Sequence, residues 1–212
     1  MGCYGAFPAL RLARSICVAD PGATVLIVSV ELCTIHLQAG GSSDELLAAS
    51  VFADGAAAAV VTAKRPSGPA FALGPFSSAL AEEARDDMAW TIGDTGFRMA
   101  LSSRIPQVVE REVGGALAPL WARAGVTVQD VEGWAVHPGG RAILDGFEAG
   151  LCLPAGSLEE SRGVLASYGN MSSATVLFVL ERMLRGGRRG LVTAVAFGPG
   201  LSVESALLEV AA

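Results

Sequence analysis

Basic charge is scarce in this sequence. Lys and Arg number 15 against 21 Asp and Glu, which leaves a net charge of −6 over 212 residues. A nucleic-acid binder carries a basic face to meet phosphates, so that class is set aside. The one basic cluster, Arg182, Arg185, Arg188 and Arg189, brackets a Gly-Gly pair. It reads as a solvated helix end, where cations complement the helix dipole. Long apolar runs are also missing. None reaches the roughly 20 residues that span a bilayer, and no basic-then-apolar leader opens the chain. A cytoplasmic protein with no membrane association is therefore expected. The opening Met-Gly-Cys does not complete a myristoylation pattern, because Ala6 stands where Ser or Thr is needed. The four cysteines, Cys3, Cys17, Cys33 and Cys152, show no CxxC spacing. They read as cytosolic thiols rather than a zinc or disulfide framework.

What is present is a core-forming chain, 51% hydrophobic and 17% charged, suited to one or two globular domains. Its 26 glycines fit tight turns and close helix–sheet packing. Residues 4–19 carry Leu10, Ala13, Ile16 and Cys17 at helical spacing, and Asp20-Pro21-Gly22 ends that helix. The nearly continuous β-branched run 24–31 predicts a buried parallel strand. A short helix is expected at 45–51 and a second buried strand at 55–64. Arg65-Pro66-Ser67-Gly68-Pro69 is the clearest boundary.

Beyond that boundary come a strand near 71–80, an acidic loop and a hairpin arm around 91–99. Ser103 and Pro106 announce a helix bearing Val109, Val113, Leu117, Leu120 and Trp121. A short strand at 133–137 precedes helices at 140–151, 158–166 and 172–185. Two strands at 190–197 and 201–210 are joined by Gly198-Pro199-Gly200. This order predicts an α/β fold, a mostly parallel sheet covered by helices with an antiparallel edge.

Three junctions carry chemistry. Cys3 lies just before a helix, whose N-terminal partial charge favours thiolate; taken alone it reads more readily as an inert buried thiol. One of only two histidines, His137, ends an apolar strand and is followed by Pro138-Gly139-Gly140. Ligands in open α/β sheets sit at such strand ends, although a structural role is also open. Asn170, after Gly169 and before an apolar helix, fits either an N-cap or an amide donor facing a cavity.

Together with their flanks these residues resemble the type III polyketide synthases, the chalcone and stilbene synthase family. The matching stretches are GCYGAFPALRLAR from Gly2, SVFADGAAAAVV from Ser50, VHPGGRAILD from Val136, SYGNMSSATVLFVLERM from Ser167 and FGPGLSVES from Phe197. They span essentially the whole chain in family order. The resemblance implies a thiolase-like layered sandwich. Residues 1–65 would be the end of its first half and bear the nucleophilic Cys; residues 66–212 would be its complete second half and bear His and Asn.

It further implies an acyltransferase that condenses malonyl-CoA, with loss of CO2, onto an acyl starter held on cysteine, followed by cyclisation. Cys3, His137 and Asn170 would be catalytic. Phe52 and, more loosely, Phe97 would gate the cavity. Cys33, Thr34 and His36 would line the pocket, and the loop Phe197, Gly198, Pro199 and Gly200 would shape its wall. Malonyl-CoA and acyl-CoA would be the substrates, a homodimer the assembly, and no metal or other cofactor is implied.

Family members extend much further on the N-terminal side of the nucleophile, so a truncated chain or an upstream start is expected. Strands 24–31 and 55–64 would then lack neighbours, and unpaired edges favour aggregation. Two alternatives stand beside the main reading. One is a ketoacyl-ACP synthase III-like condensing enzyme, whose carrier-protein docking patch would be basic. The other is an inactive fragment of a type III synthase.

Overall fold

The computed structural model describes residues 2–36, 46, 50–94 and 96–211, with the side chains of all of these except 96–100 and 211. The expected helix at 45–51 falls mostly outside the described residues, though Ser50 and Val51 are helical.

After a short 3₁₀ turn at Gly2–Tyr4, helix α1 runs from Ala6 to Ala19. Ala6, Phe7, Leu10, Ala13 and Cys17 are buried on one face, the helical repeat that an amphipathic segment imposes. Pro8 is tolerated because it lies in the first turn, where no intrahelical N–H bond is due. The helix stops at Asp20, whose extended backbone donates its N–H to the Ile16 carbonyl at 2.8 Å.

Strands β1 (Thr24–Glu31) and β2 (Gly55–Thr62) pair antiparallel, Leu26 opposite Val60 and Val28 opposite Ala58. The expectations of a buried parallel strand at 24–31 and of a second buried strand at 55–64 are corrected here. Ile27 and Ser29 face inward, whereas Leu26, Val28, Val30 and Val60 are exposed. An unbroken apolar run cannot reveal which of its two faces is covered, because alternation carries that information.

A second sheet has the order β3-β8-β7-β6, from β3 (Ala70–Leu80), β6 (Gly133–Val136), β7 (Leu191–Gly198) and β8 (Ser202–Ala211). Only β6 and β7 are parallel; β7–β8 and β3–β8 are antiparallel. The "mostly parallel" expectation is thus corrected, because the tight Gly-Pro-Gly connection makes a hairpin of the last two strands. Pro75 sits where the β3–β8 register shifts between Leu73 and Phe76, a bulge on an edge strand that absorbs a residue without an N–H. Strands β4 (Met88–Gly93) and β5 (Gly96–Leu101) form the expected separate hairpin.

Helices α2 (Ile105–Ala124), α3 (Arg141–Gly150), α4 (Glu159–Tyr168) and α5 (Thr175–Arg185) complete the order. The central sheet is covered on both faces. On one, Val192, Ala194 and Ala196 pack with Phe7 and Leu10 of α1 and Val176, Val179 and Met183 of α5. On the other, Val195 and Phe197 pack with Val109, Leu117 and Trp121 of α2 and Leu144 and Phe147 of α3. Ile27 of β1 belongs to the first cluster, so α1 and α5 lie between the two-stranded and four-stranded sheets. The result is a layered α/β sandwich. Among the described residues no helix is long and apolar enough to cross a membrane.

Candidate active site

The junctions singled out in the sequence converge on one cavity, lined by Cys3, Phe52, Met88, Trp90, Leu101, His137, Gly139, Ile143, Asn170, Phe197 and Pro199. Each polar member arrives there for a local reason.

Cys3 stands in the 3₁₀ turn that feeds α1. Gly2 before it has φ +67°, and a Cβ there would come within 3.1 Å of the Pro199 ring. Glycine therefore both permits the turn and lets the Phe197–Gly200 loop close against the cysteine. Gly200 donates its N–H to the Met88 carbonyl at 3.0 Å, which ties that loop to the β4–β5 hairpin.

His137 extends the β6–β7 ladder by one residue, its N–H donating to Val195 O at 2.8 Å. The chain then turns sharply, with Gly139 N–H on the His137 carbonyl at 3.0 Å. The imidazole is buried, and neither ring nitrogen has a hydrogen-bond partner among the described residues. Buried polar atoms are almost always satisfied, so an unpaired imidazole aimed at a cavity marks a place where a ligand atom would complete it.

Asn170 follows Gly169, which has φ +73° and ψ −164°, a region essentially reserved for glycine. Its backbone is clamped to the segment bearing Phe52. Asn170 N–H donates to Val51 O at 2.8 Å, and Ala53 N–H donates to Asn170 O at 2.9 Å. The side-chain Oδ1 accepts from Ser172 N–H at 2.9 Å. The N-cap expectation is corrected, since Met171 precedes the 3₁₀ turn and Ala174 the helix; the bond to Ser172 instead closes a local turn that occupies the amide oxygen and fixes the amide's orientation. Cys3 Sγ lies 4.0 Å from the same Oδ1.

The apolar walls govern the charge states. Desolvation pushes the Cys3 thiol up to about 11, against lowering by the Ser172 and Asn170 side chains; Glu31 adds to the rise. Burial also lowers His137 to about 3. The helix-end argument for a ready thiolate is thus outweighed by loss of water in the free site, and the imidazole rests neutral.

Of the remaining expected residues, Phe52, Phe197 and Pro199 line the cavity, whereas Gly198 and Gly200 flank Pro199 in the loop. Cys33, Thr34 and His36 form a 3₁₀ turn beside it. Thr34 donates from its N–H and hydroxyl to Asp54 at 2.8 and 2.7 Å. The His36 ring meets Trp90 edge-on at 5.1 Å. Phe97 lies on β5 opposite Ile92, and its side chain is outside the described residues. Sequence reasoning missed Met88, Trp90, Leu101 and Ile143. For the first three the signal was weak, since a hairpin's apolar residues do not announce which surface they fold over; Ile143 is on the buried face of α3 and reads as an ordinary core residue.

Two family models match the chain: chalcone and stilbene synthases, N-terminal domain, over residues 1–65, and chalcone and stilbene synthases, C-terminal domain, over residues 77–211. The chain belongs to the chalcone and stilbene synthase family.

Among its relatives, a 1,3,6,8-tetrahydroxynaphthalene synthase of Streptomyces peucetius subsp. caesius is 37% identical over 216 residues, which cover 99% of this chain and 57% of that protein. A putative chalcone synthase of Bacillus subtilis strain 168 is 32% identical over 221 residues, 99% of this chain and 60% of that one. The crystal structure of 1,3,6,8-tetrahydroxynaphthalene synthase from Streptomyces coelicolor A3(2), a bacterial type III polyketide synthase, matches with a TM-score of 0.91 and 32% identity over 99% of this chain and 60% of that one. PKS-I of the brown alga Ectocarpus siliculosus gives a TM-score of 0.91 at 30% identity over 99% and 58%. The layered fold is the thiolase-like fold of these type III synthases. This chain spans only 57% to 60% of the length of the curated relatives it matches.

Proposed function

We propose that this protein is a type III polyketide synthase, extending a cysteine-bound acyl starter with malonyl-CoA. The observation that carries the reading is the cavity shared by Cys3, His137 and Asn170, with a buried imidazole whose two nitrogens have no partner among the described residues. Cys3 sulfur attacks the carbonyl of an acyl-CoA, the bond to CoA sulfur breaks, and the thiol proton leaves with CoA. Malonyl-CoA then loses CO2, leaving an enolate with its negative charge on the thioester oxygen. A neutral imidazole and a fixed carboxamide offer N–H donors to that oxygen, and preorganised donors in a dry site are worth far more than water. The enolate carbon attacks the acyl carbonyl, the new C–C bond replaces the C–S bond, and Cys3 is released. Phe52 and Phe197 help keep water from the reactive keto chain.

On this reading residues 1–65 and 66–212 belong to the two thiolase-like halves. The assembly is a cytoplasmic homodimer, and CoA thioesters are its substrates with no further cofactor. Support comes from the two family models and from the tetrahydroxynaphthalene synthases among the relatives. The test is incubation of the purified protein with radiolabelled malonyl-CoA and a range of starter CoAs. Labelled polyketide that vanishes in Cys3→Ala is expected. A folded protein that forms no labelled product with any starter contradicts the reading.

A further inference from the structure

One arrangement occurs twice in this molecule. A 3₁₀ turn at Gly2–Tyr4 leads into α1, then β1, then antiparallel β2. A 3₁₀ turn at Ser172–Ala174 leads into α5, then β7, then antiparallel β8. The second unit is enclosed. β3 runs antiparallel beside β8, and β6 runs parallel beside β7. α2 and α3 cover the face of β7–β8 that α1 and α5 leave open, and every residue from Val192 to Gly198 is buried.

The first unit is not. Among the described residues β1 and β2 pair only with each other. Their inner face, with Val25, Ile27, Ala57 and Val61, belongs to the cluster around α1 and α5. Their outer face consists of matched pairs: Leu26 with Val60, Val28 with Ala58 and Val30 with Ala56. All six are apolar. Leu26 and Val60 are 65% and 64% exposed, Val28 and Val30 59% each, and both alanines are exposed as well. A contiguous apolar patch marks a surface that a partner covers, and an unpaired strand edge is a template for another strand.

We propose that the outer face and the two outer edges of β1–β2 dock a second polypeptide, the stretch of a type III synthase that this chain does not span.

Two observations choose this occupant. The first is the comparison within the molecule. Set beside β7–β8, the β1–β2 pair lacks, among the described residues, an antiparallel strand next to β2, a parallel strand next to β1 and apolar helices across the outer face. A second copy of this chain, laying its own bare face on the first, would cover that face by sheet stacking and leave the strand edges open. The second is length. This chain spans 57% to 60% of its curated relatives, and those relatives carry further polypeptide that it does not match. Strand addition supplies main-chain hydrogen bonds along an edge, while the apolar face supplies the hydrophobic gain. Docking also steadies β2, and Phe52, shortly before it, lines the cavity.

The proposal takes its partner from the enzymatic reading, but its test measures binding rather than turnover, so the two fail separately. The full 212-residue chain is tagged and co-expressed with an untagged polypeptide, the stretch of the Streptomyces peucetius synthase outside its match to this chain. Native mass spectrometry of the purified material is expected to show one copy of each. Amide exchange across residues 24–30 is expected to slow by about tenfold or more relative to the chain alone. Val28→Lys places a charge at the centre of the outer face without touching the inner one. It is expected to raise the dissociation constant about 100-fold or more, read by diluting the complex, because the charge would be buried unpaired. Ile92→Lys, at an equally exposed apolar residue on the β4–β5 hairpin, is expected to leave binding unchanged. Three results would overturn the proposal: a folded chain that captures no partner, a complex undiminished by Val28→Lys, or a dimer of this chain that protects residues 24–30 and excludes the added polypeptide. Should Val28→Lys not fold, the exchange comparison on the unsubstituted chain decides.

Discussion

Phe52 and Asn170 face each other across a single parallel bridge outside the named strands. Two backbone hydrogen bonds make it, at 2.8 and 2.9 Å. This bridge seats a cavity-wall phenyl ring and a carboxamide on one rigid piece of backbone, although they lie far apart in sequence. The precision of the site depends on it, because a donor displaced by about 1 Å loses much of its effect on a reacting atom.

Gly169 permits that bridge. A Cβ there would lie 3.1 Å from Val51 O and 3.2 Å from Ala53 Cβ, on a backbone with positive φ. Gly169→Ala is expected to destabilise the fold by about 1–3 kcal/mol. Urea denaturation of the two proteins checks it, and an unchanged midpoint contradicts it.

Gly55 plays the matching part below the turn. A Cβ on it would clash with Met171 Sδ and fall 2.8 Å from Met171 Cβ. Gly55→Ala is expected to displace Met171, cost about 1–3 kcal/mol through overpacking, and lower condensation activity by moving the adjacent Asn170. Full retention of both stability and activity would show that the contact relaxes freely.

Stability should depend on pH at both ends of the range. His137 is lowered from 6.5 to about 3, so below pH 6.5 the unfolded chain binds a proton that the folded chain refuses. Stability therefore falls as pH drops from 6.5 towards 3. Cys3 is raised from 9.0 to about 11, so the folded chain keeps a proton that the unfolded chain releases. That contribution is complete below pH 9 and is lost as pH rises through 11. Denaturation midpoints across pH should show a plateau between these limits. His137→Phe should flatten the acid side and Cys3→Ala the alkaline side.

Much of this was legible in advance. His137 and Asn170 sit between diagnostic neighbours, Pro138-Gly139-Gly140 on one side and Gly169 and Met171-Ser172-Ser173 on the other, because sharp turns restrict residue choice. The helical spacing of Leu10, Ala13 and Cys17, and that of Val109, Val113 and Leu117, marks faces that the fold does bury, although Ile16, which shares the first spacing, is exposed. Strand pairing was not legible. The run 24–31 is apolar on both faces, and only one of them is covered. The Cys3 environment was misjudged for a related reason. A helix end is a local feature seen in sequence, whereas the apolar walls of the cavity, Trp90, Phe197 and Ile143 among them, come from distant segments.

Removing a donor separates the roles of the cavity groups. His137→Ala and Asn170→Ala should each lower malonyl-CoA decarboxylation by about 100- to 1,000-fold, the range for one oxyanion donor, while leaving Cys3 able to accept an acyl group. Equal loss of acylation in both variants would contradict this division.

The most direct measurement is the mass of Cys3 after brief exposure to an acyl-CoA, read peptide by peptide at neutral pH. The account predicts one acyl group, carried on Cys3 and displaced when malonyl-CoA is added, with Cys33 and Cys152 unmodified. A folded protein that carries the acyl group on another cysteine, or on none, would contradict it.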